Sequence, residues 1–211
     1  MRDTITSWIF DLDNTLYDPR LGLLDQISAR MHGFVMRELA MTRREAKVYC
    51  EESWRNHGIT MRALVRDYGI DPEDFLAETH DIDYEHVVPC FDLKAAIANL
   101  DGQKIIHTNG ARSHAMEVLD RLHLTNEFDA VWAIEDVDYA PKPHAEAHDR
   151  VISEHEIDPK STMMFEDTPH NLEVPKARGM TTALVSAGPR PLDALHIDHV
   201  TYDLKGFLNA L

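Results

Sequence analysis

Asp11 and Asp13 directly follow an apolar run, Ile5 to Phe10. Thr108 and Asn109 follow a second, which ends at His107. Glu135 and Asp136 close a third, and Glu166 and Asp167 close a fourth, Thr162 to Phe165. Lys142 stands between two prolines in Ala140-Pro141-Lys142-Pro143, which restrict where it can wander. One acidic residue after a strand is ordinary turn chemistry. Its recurrence at successive runs points to a shared place. Converging carboxylates suit a hard cation, and Mg²⁺ takes oxygen ligands in octahedral geometry while keeping several waters. Asp11, Asp13, Glu166 and Asp167 would repel one another, and would repel a phosphate. A bound Mg²⁺ and the Lys142 ammonium offset most of that charge, and the metal then presents open positions to phosphate oxygens.

These groups need strands to hold them. Ile5 to Phe10, Lys104 to His107, Ala130 to Ile134, Thr162 to Phe165 and Met180 to Val185 are short apolar runs without clean alternation, as in strands buried on both faces. Between the later runs the spacing is helical. Arg112 to Leu122 puts Ala115, Met116, Val118, Leu119 and Leu122 on one side, and Ala145 to Ile152 behaves similarly. Pro169 to Ala177 opens with a proline suited to a helix start, while Pro175 inside it should kink or end the helix. This alternation predicts an α/β fold, a doubly wound parallel sheet of Rossmann type with ligands at the carboxyl ends of the strands.

The rhythm breaks after the first strand. Leu21 to Leu39, Thr42 to His57, Thr60 to Tyr68 and Pro72 to Thr79 read as helices, punctuated by Gly58, Gly69-Ile70-Asp71-Pro72 and Asp81. Thr42 with Glu45 three residues on is a capping-box pattern. Residues 17–90 therefore read as an all-helical insertion, and 1–16 with 91–211 as the α/β core that carries every strand-end group.

Composition excludes several classes. The 211 residues include 37 acidic and 21 basic ones, a net charge of −16. Nucleic acid polymers and anionic membrane surfaces would be repelled. An apolar fraction of 44% excludes wholesale disorder. No stretch approaches the roughly 20 apolar residues of a membrane span. Met1 to Phe10, followed by Asp11, is too short and acidic for a signal peptide, and Cys50 and Cys90 make no disulfide framework. A reduced, cytoplasmic protein with a small-molecule partner is expected.

Phe10-Asp11-Leu12-Asp13-Asn14-Thr15-Leu16-Tyr17 resembles the first motif of the haloacid dehalogenase-like hydrolases. His107-Thr108-Asn109-Gly110 resembles their second, Lys142-Pro143 their third, and Phe165-Glu166-Asp167-Thr168 with Asn171 their fourth. The resemblance implies that Asp11 is a nucleophile forming an aspartyl-phosphate. It implies that Asp13 protonates the leaving oxygen and then activates water. Thr108 would bond a phosphoryl oxygen, Asn109 would help orient it, and Lys142 would neutralise charge. Asp11, the Asp13 carbonyl and Asp167 would hold Mg²⁺, with Glu166 either a direct ligand or one step removed. The helical insertion is similar to the cap of this branch. Dehalogenases of the superfamily lack the second aspartate, because halide leaves without a proton, so Asp13 favours phosphoryl chemistry. A sugar-phosphate phosphatase or phosphomutase shares the motifs, and a non-catalytic phosphate-binding protein would have lost one of them.

Leu16-Tyr17, Gly58-Ile59-Thr60-Met61-Arg62, His80-Asp81, Asn171 to Pro175 and Gly179-Met180 look like the pyrimidine 5′-nucleotidase subgroup. That likeness implies a nucleoside 5′-monophosphate of UMP or CMP type as substrate, with Tyr17, Asn109 and Gly110 beside it. Trp54, His57, Arg62, Tyr68, Tyr84 and His86 are cap residues able to meet a base, since aromatics and arginine stack on its face. Alternatively Trp54 and Tyr68 are helix core, and Arg62 is a surface group. His144 and His148, four apart, read as a solvent-exposed helix face rather than a zinc site. Met31, Met36, Met41 and Met61 read as gap-filling core, both cysteines as buried thiols, and Arg43-Arg44 as surface.

Overall fold

The computed structural model describes residues 4–186, 188 and 194–211. Met1 to Asp3 and the side chain of His57 lie outside the described residues. In chain order the elements are β1 (Ser7–Phe10), α1 (Leu23–Glu38), α2 (Arg43–His57), α3 (Thr60–Tyr68), α4 (Pro72–Thr79), α5 (Phe91–Ala98), β2 (Gln103–His107), α6 (Arg112–Arg121), β3 (Ala130–Trp132), α7 (Ala145–Glu154), β4 (Thr162–Glu166), α8 (Glu173–Arg178), β5 (Thr181–Val185), β6 (His199–Thr201) and α9 (Leu204–Ala210). The chain divides into two compact units, Met1–Asp18 with Val87–Leu211, and Pro19–His86.

In the first unit six strands form one parallel sheet in the order β3-β2-β1-β4-β5-β6. This is the expected doubly wound arrangement, with helices between strands. Every residue of β1 and β4 is buried, which is why both read as continuous apolar runs. Ile9, Ile105, Met164 and Leu184 pack together on one face with Val151 and Leu172. On the other, Phe10 stacks on Phe165 with ring centroids 4.7 Å apart. Gly102 turns the chain into β2 at φ +93°, and a Cβ there would lie 2.2 Å from the Thr6 carbonyl oxygen. Only glycine allows the turn to approach β1 that closely.

Three elements of this unit were not legible in the pattern. α5 is eight residues long, and α9 is seven. β6 is a half-buried edge strand of three residues. The Pro169 to Ala177 segment is not one helix. It forms a 3-10 turn over Pro169–Leu172 and then α8, in which Pro175 is the third residue. A proline in a first turn forfeits little, because that turn's N–H groups have few carbonyls to reach.

His148 is 2% exposed, so the expected solvent-facing histidine pair is corrected. α7 turns Ala147, His148 and Val151 inward together, and the His148 ring meets His107 edge-on at 5.1 Å. Burial pushes His148 down to about 3. Cys50 is buried as expected, but Cys90 is only half-buried.

The second unit is all-helical. α2 begins with the capping box: the Thr42 N–H donates to Glu45 Oε2 at 2.8 Å, and the Glu45 N–H to Thr42 Oγ1 at 3.4 Å. Phe34 of α1 meets Phe75 of α4 edge-on at 5.1 Å, and both are buried. Arg37 spans the same helices, donating to both Glu78 oxygens at 2.6 and 2.8 Å. Met61 is buried, whereas Met31, Met36 and Met41 are half-buried at the margin. Trp54 is 60% exposed and Tyr68 is half-exposed, so neither is the helix core that the plainer reading allowed.

Candidate active site

The strand register assembles the site. β1 lies between β2 and β4, with Phe10 level with both Ile106 and Phe165. The next residue of each strand end is therefore Asp11, His107 or Glu166. The Asp11 N–H still pairs with the Phe165 carbonyl at 2.9 Å. The chain then turns sharply. Asn14 sits at φ +60°, a conformation that asparagine tolerates, and Thr15 and Leu16 both donate back to the Leu12 carbonyl. This turn aims Asp11 and Asp13 out of the same strand end.

Lys142 is the pivot. It is 1% exposed, and its ammonium donates to Asp11 Oδ1, Glu166 Oε2 and the His107 carbonyl, each at 2.7 Å. All three ammonium protons are thus placed. Burial disfavours its charge, but Asp11 and Glu166 outweigh burial and raise its pKa above the ordinary lysine range. Asn109 fixes the loop that carries it: the Asn109 amide donates to the Lys142 carbonyl at 3.0 Å and accepts from the Lys142 N–H at 2.8 Å. The Lys142-Pro143 peptide is cis.

Asp11 also accepts from Thr15 Oγ1 at 2.9 Å. Burial, then repulsion from Glu166, push Asp11 up to about 7. Burial likewise pushes Glu166 up to about 7. Asp167 is raised by burial and by Asp11, although Asn14 and Thr168 donate to it at 3.2 and 3.1 Å. Asp11, Glu166 and Asp167 each offer an oxygen within 4.8 Å of the others, the metal-capable cluster among the described residues. The donor set is all oxygen and too crowded with negative charge for one lysine, so it fits a hard divalent cation.

The Asp13 carboxylate is not part of that cluster. Its Oδ1 takes a 2.5 Å hydrogen bond from the Tyr17 hydroxyl and lies 2.7 Å from His114 Nε2. Thr108 Oγ1 donates to Oδ2 at 3.4 Å and accepts from the Gly110 N–H at 2.9 Å. A Cβ on Gly110 would lie 3.2–3.3 Å from His114, Asp13 and Thr108, so the turn is packed to its limit. Tyr17 is buried and its pKa is raised, first by burial and then by Asp13.

Asp11, Asp13, Tyr17, Thr108, Asn109, Gly110, Lys142, Glu166 and Asp167 thus meet at neighbouring strand ends. Trp54 of α2 and Arg62 of α3 belong to the other unit, and both are exposed. Glu135 and Asp136 do not join the strand-end cluster. Glu135 accepts from the Arg112 N–H, and Asp136 pairs with the Arg112 guanidinium at the start of α6. The sequence reading passed over His114, Asn14 and Thr15 as individual groups. Asn14 and Thr15 lay inside a quoted motif, whereas only a tertiary contact marks His114, a lone histidine on an apolar helix face.

Residues 8–185 match the haloacid dehalogenase-like hydrolase family, and the chain belongs to it. It is 27% identical over 138 residues, 59% of its length, to phosphate metabolism protein 8 of Saccharomyces cerevisiae, and the match spans 42% of that protein. Two solved structures share the fold. One is a HAD-hydrolase, YfnB from Bacillus subtilis, bound to magnesium (TM-score 0.64, 16% identity, 98% of each chain). The other is L-2-haloacid dehalogenase from Xanthobacter autotrophicus with chloropropionic acid covalently bound (TM-score 0.61, 18% identity, 97% of each chain). Among the described residues no helix is long and apolar enough to cross a membrane.

Proposed function

We propose that the protein is a phosphatase that hydrolyses phosphate monoesters through an aspartyl-phosphate on Asp11, and that its substrates are nucleoside 5′-monophosphates of pyrimidine type. One observation carries the phosphatase reading. A second carboxylate, Asp13, stands at the strand end that bears the nucleophile, held by its own hydrogen bonds and apart from the acidic cluster. Halide departs without a proton, whereas an alkoxide needs one.

In the first step an Asp11 oxygen attacks phosphorus and the phosphorus–oxygen bond to the alcohol breaks. The Asp13 proton passes to the departing oxygen, so the alcohol leaves neutral. In the second, water attacks the phosphorus of the aspartyl-phosphate and gives a proton to Asp13. The bond to Asp11 breaks, and inorganic phosphate leaves. Lys142, fixed by Asn109, holds Asp11 against rotation and lowers the cost of bringing anionic phosphate to it. The Thr108 hydroxyl and the Gly110 N–H flank the same space. Asp11 and Asp167, with Glu166 beside them, would hold Mg²⁺, which supplies charge neutralisation and orientation of phosphoryl oxygens when bound. The magnesium bound to YfnB and the phosphate metabolism of the yeast relative support this reading. The nucleotide assignment rests on the subgroup likeness and on Trp54 and Arg62, exposed groups able to stack on a base.

A substrate panel tests the proposal. UMP, CMP, AMP, a hexose phosphate, p-nitrophenyl phosphate and 2-chloropropionate are each incubated with the enzyme, with and without Mg²⁺. Phosphate should appear from the esters only with Mg²⁺, fastest from UMP or CMP, with no chloride. Chloride release without phosphate release would make it a dehalogenase. A preference for the hexose phosphate would retain the chemistry and remove the nucleotide.

A further inference from the structure

We propose that His114 and Tyr17 are a positioning pair that holds Asp13 in the orientation needed for proton transfer. The inference rests on the phosphatase reading above and deepens it. His114 lies on the first turn of α6 and is buried with Ala115. A buried histidine on an apolar face ordinarily satisfies a backbone group near it. This one reaches a carboxylate 101 positions away in sequence, with Nε2 2.7 Å from Asp13 Oδ1. Tyr17, one helical turn's distance beyond Asp13 in the chain, places its hydroxyl 2.5 Å from the same oxygen. Two short hydrogen bonds converging on one carboxylate oxygen fix the rotation of the whole group. Hydrogen bonds to a charged acceptor are the stronger kind.

The surroundings reinforce that restraint. Thr108 of the β2–α6 turn stands on the Oδ2 side of Asp13 and His114 of the first turn of α6 on the Oδ1 side, so one short segment grips both oxygens. Gly110 lies between them with no room for a side chain, which keeps the segment in place. Without the pair, the Asp13 carboxylate would lose two of the hydrogen bonds that restrain its rotation. Turned away from a leaving alcohol, it would be a poorer proton donor to it. Small misplacements of a catalytic group are costly to rate, so the pair should act on turnover rather than on binding. His114 and Tyr17 need not touch substrate to do this.

The test compares wild type with Asp13→Asn, His114→Ala, His114→Gln and Tyr17→Phe, each as the full chain with Mg²⁺. UMP has a poor leaving group and needs the proton, while the burst of nitrophenolate from p-nitrophenyl phosphate reports Asp11 attack with a leaving group that needs little help. For His114→Ala and Tyr17→Phe we expect kcat on UMP to fall about 10- to 100-fold, KM to move by less than about threefold, and the burst rate to fall much less. His114→Gln should recover part of the loss, because its amide can still donate to Asp13. Thermal melts identify any variant that fails to fold, and Tyr17→Phe removes only one oxygen. Equal losses in UMP turnover and burst rate would make the pair structural and overturn the proposal, as would unchanged UMP turnover in both variants. A selective loss in Asp13→Asn that neither partner reproduces would sink the pair while sparing the phosphatase reading. A wild type that releases phosphate from no ester would remove that reading itself.

Discussion

Lys142 shows how much one side chain can hold. Its ammonium contacts two buried carboxylates, Asp11 and Glu166, and ties both to the backbone of His107. Without it two mutually repelling, buried acids would lose their shared cationic partner. Lys142→Met should therefore cost about 3–5 kcal/mol of stability when metal is chelated, the usual consequence of removing one partner of a buried ion pair. Mg²⁺ should restore part of that stability, since it replaces the missing positive charge, but not the activity, which should drop by at least about a thousandfold. Urea denaturation in EDTA and in Mg²⁺, alongside phosphate release, measures both. A variant as stable as wild type in EDTA would mean that the carboxylates are protonated and need no partner. The sequence placed Lys142 in a proline-bracketed loop and its family likeness implied a charge-neutralising role. The mutual clamp with Asn109 was not visible there, because it joins residues 33 positions apart.

At the level of elements, the parallel strands were legible because burial on both faces leaves a plain apolar run. The faces of the helices were harder to read. α7 carries His148 inward beside Ala147 and Val151, although a histidine four residues after another looks like a wet surface. The consequence is an acid-sensitive element. His148 titrates near 6.5 when unfolded but is pushed down to about 3 by burial, so the unfolded chain binds more protons between those values and stability falls as pH drops through that window. At pH 5 this linkage amounts to about 2 kcal/mol. His148→Met cannot titrate. The stability difference between wild type and His148→Met should accordingly shift by about 2 kcal/mol against wild type on going from pH 7 to pH 5. Urea titrations at the two pH values give the number directly, and an unchanged difference would mean that His148 is protonated as readily in the fold as outside it. His107 is pushed down first by burial, a contribution common to both proteins, and then by its neighbour His148.

For the molecule as a whole, chemistry and recognition are proposed to belong to different units. The strand-end groups all come from the unit Met1–Asp18 with Val87–Leu211, while Trp54 and Arg62 belong to Pro19–His86. If Arg62 reads the base, Arg62→Ala should raise KM for UMP and CMP by about tenfold and reorder UMP, CMP and AMP, with p-nitrophenyl phosphate affected only a few-fold. The measurement is kcat/KM for the four substrates in both proteins. A uniform loss would reduce Arg62 to a structural part, and no loss would leave it a surface group. The sequence by itself determined the alternation of strands and helices, the helical insertion and the four motifs. Those depend on local patterns of burial, capping and turn chemistry, each written within a few residues. Tertiary structure decided the rest. The order β3-β2-β1-β4-β5-β6 places Thr108 and Glu166 on either side of Asp11, and that order is a matter of which strands pair. Pairing also decided that Asp13 turns to Tyr17 and His114 while Asp11, Glu166 and Asp167 cluster. Contacts between residues about a hundred positions apart have no period and no motif in the sequence, because they exist only once the sheet has brought its strand ends together.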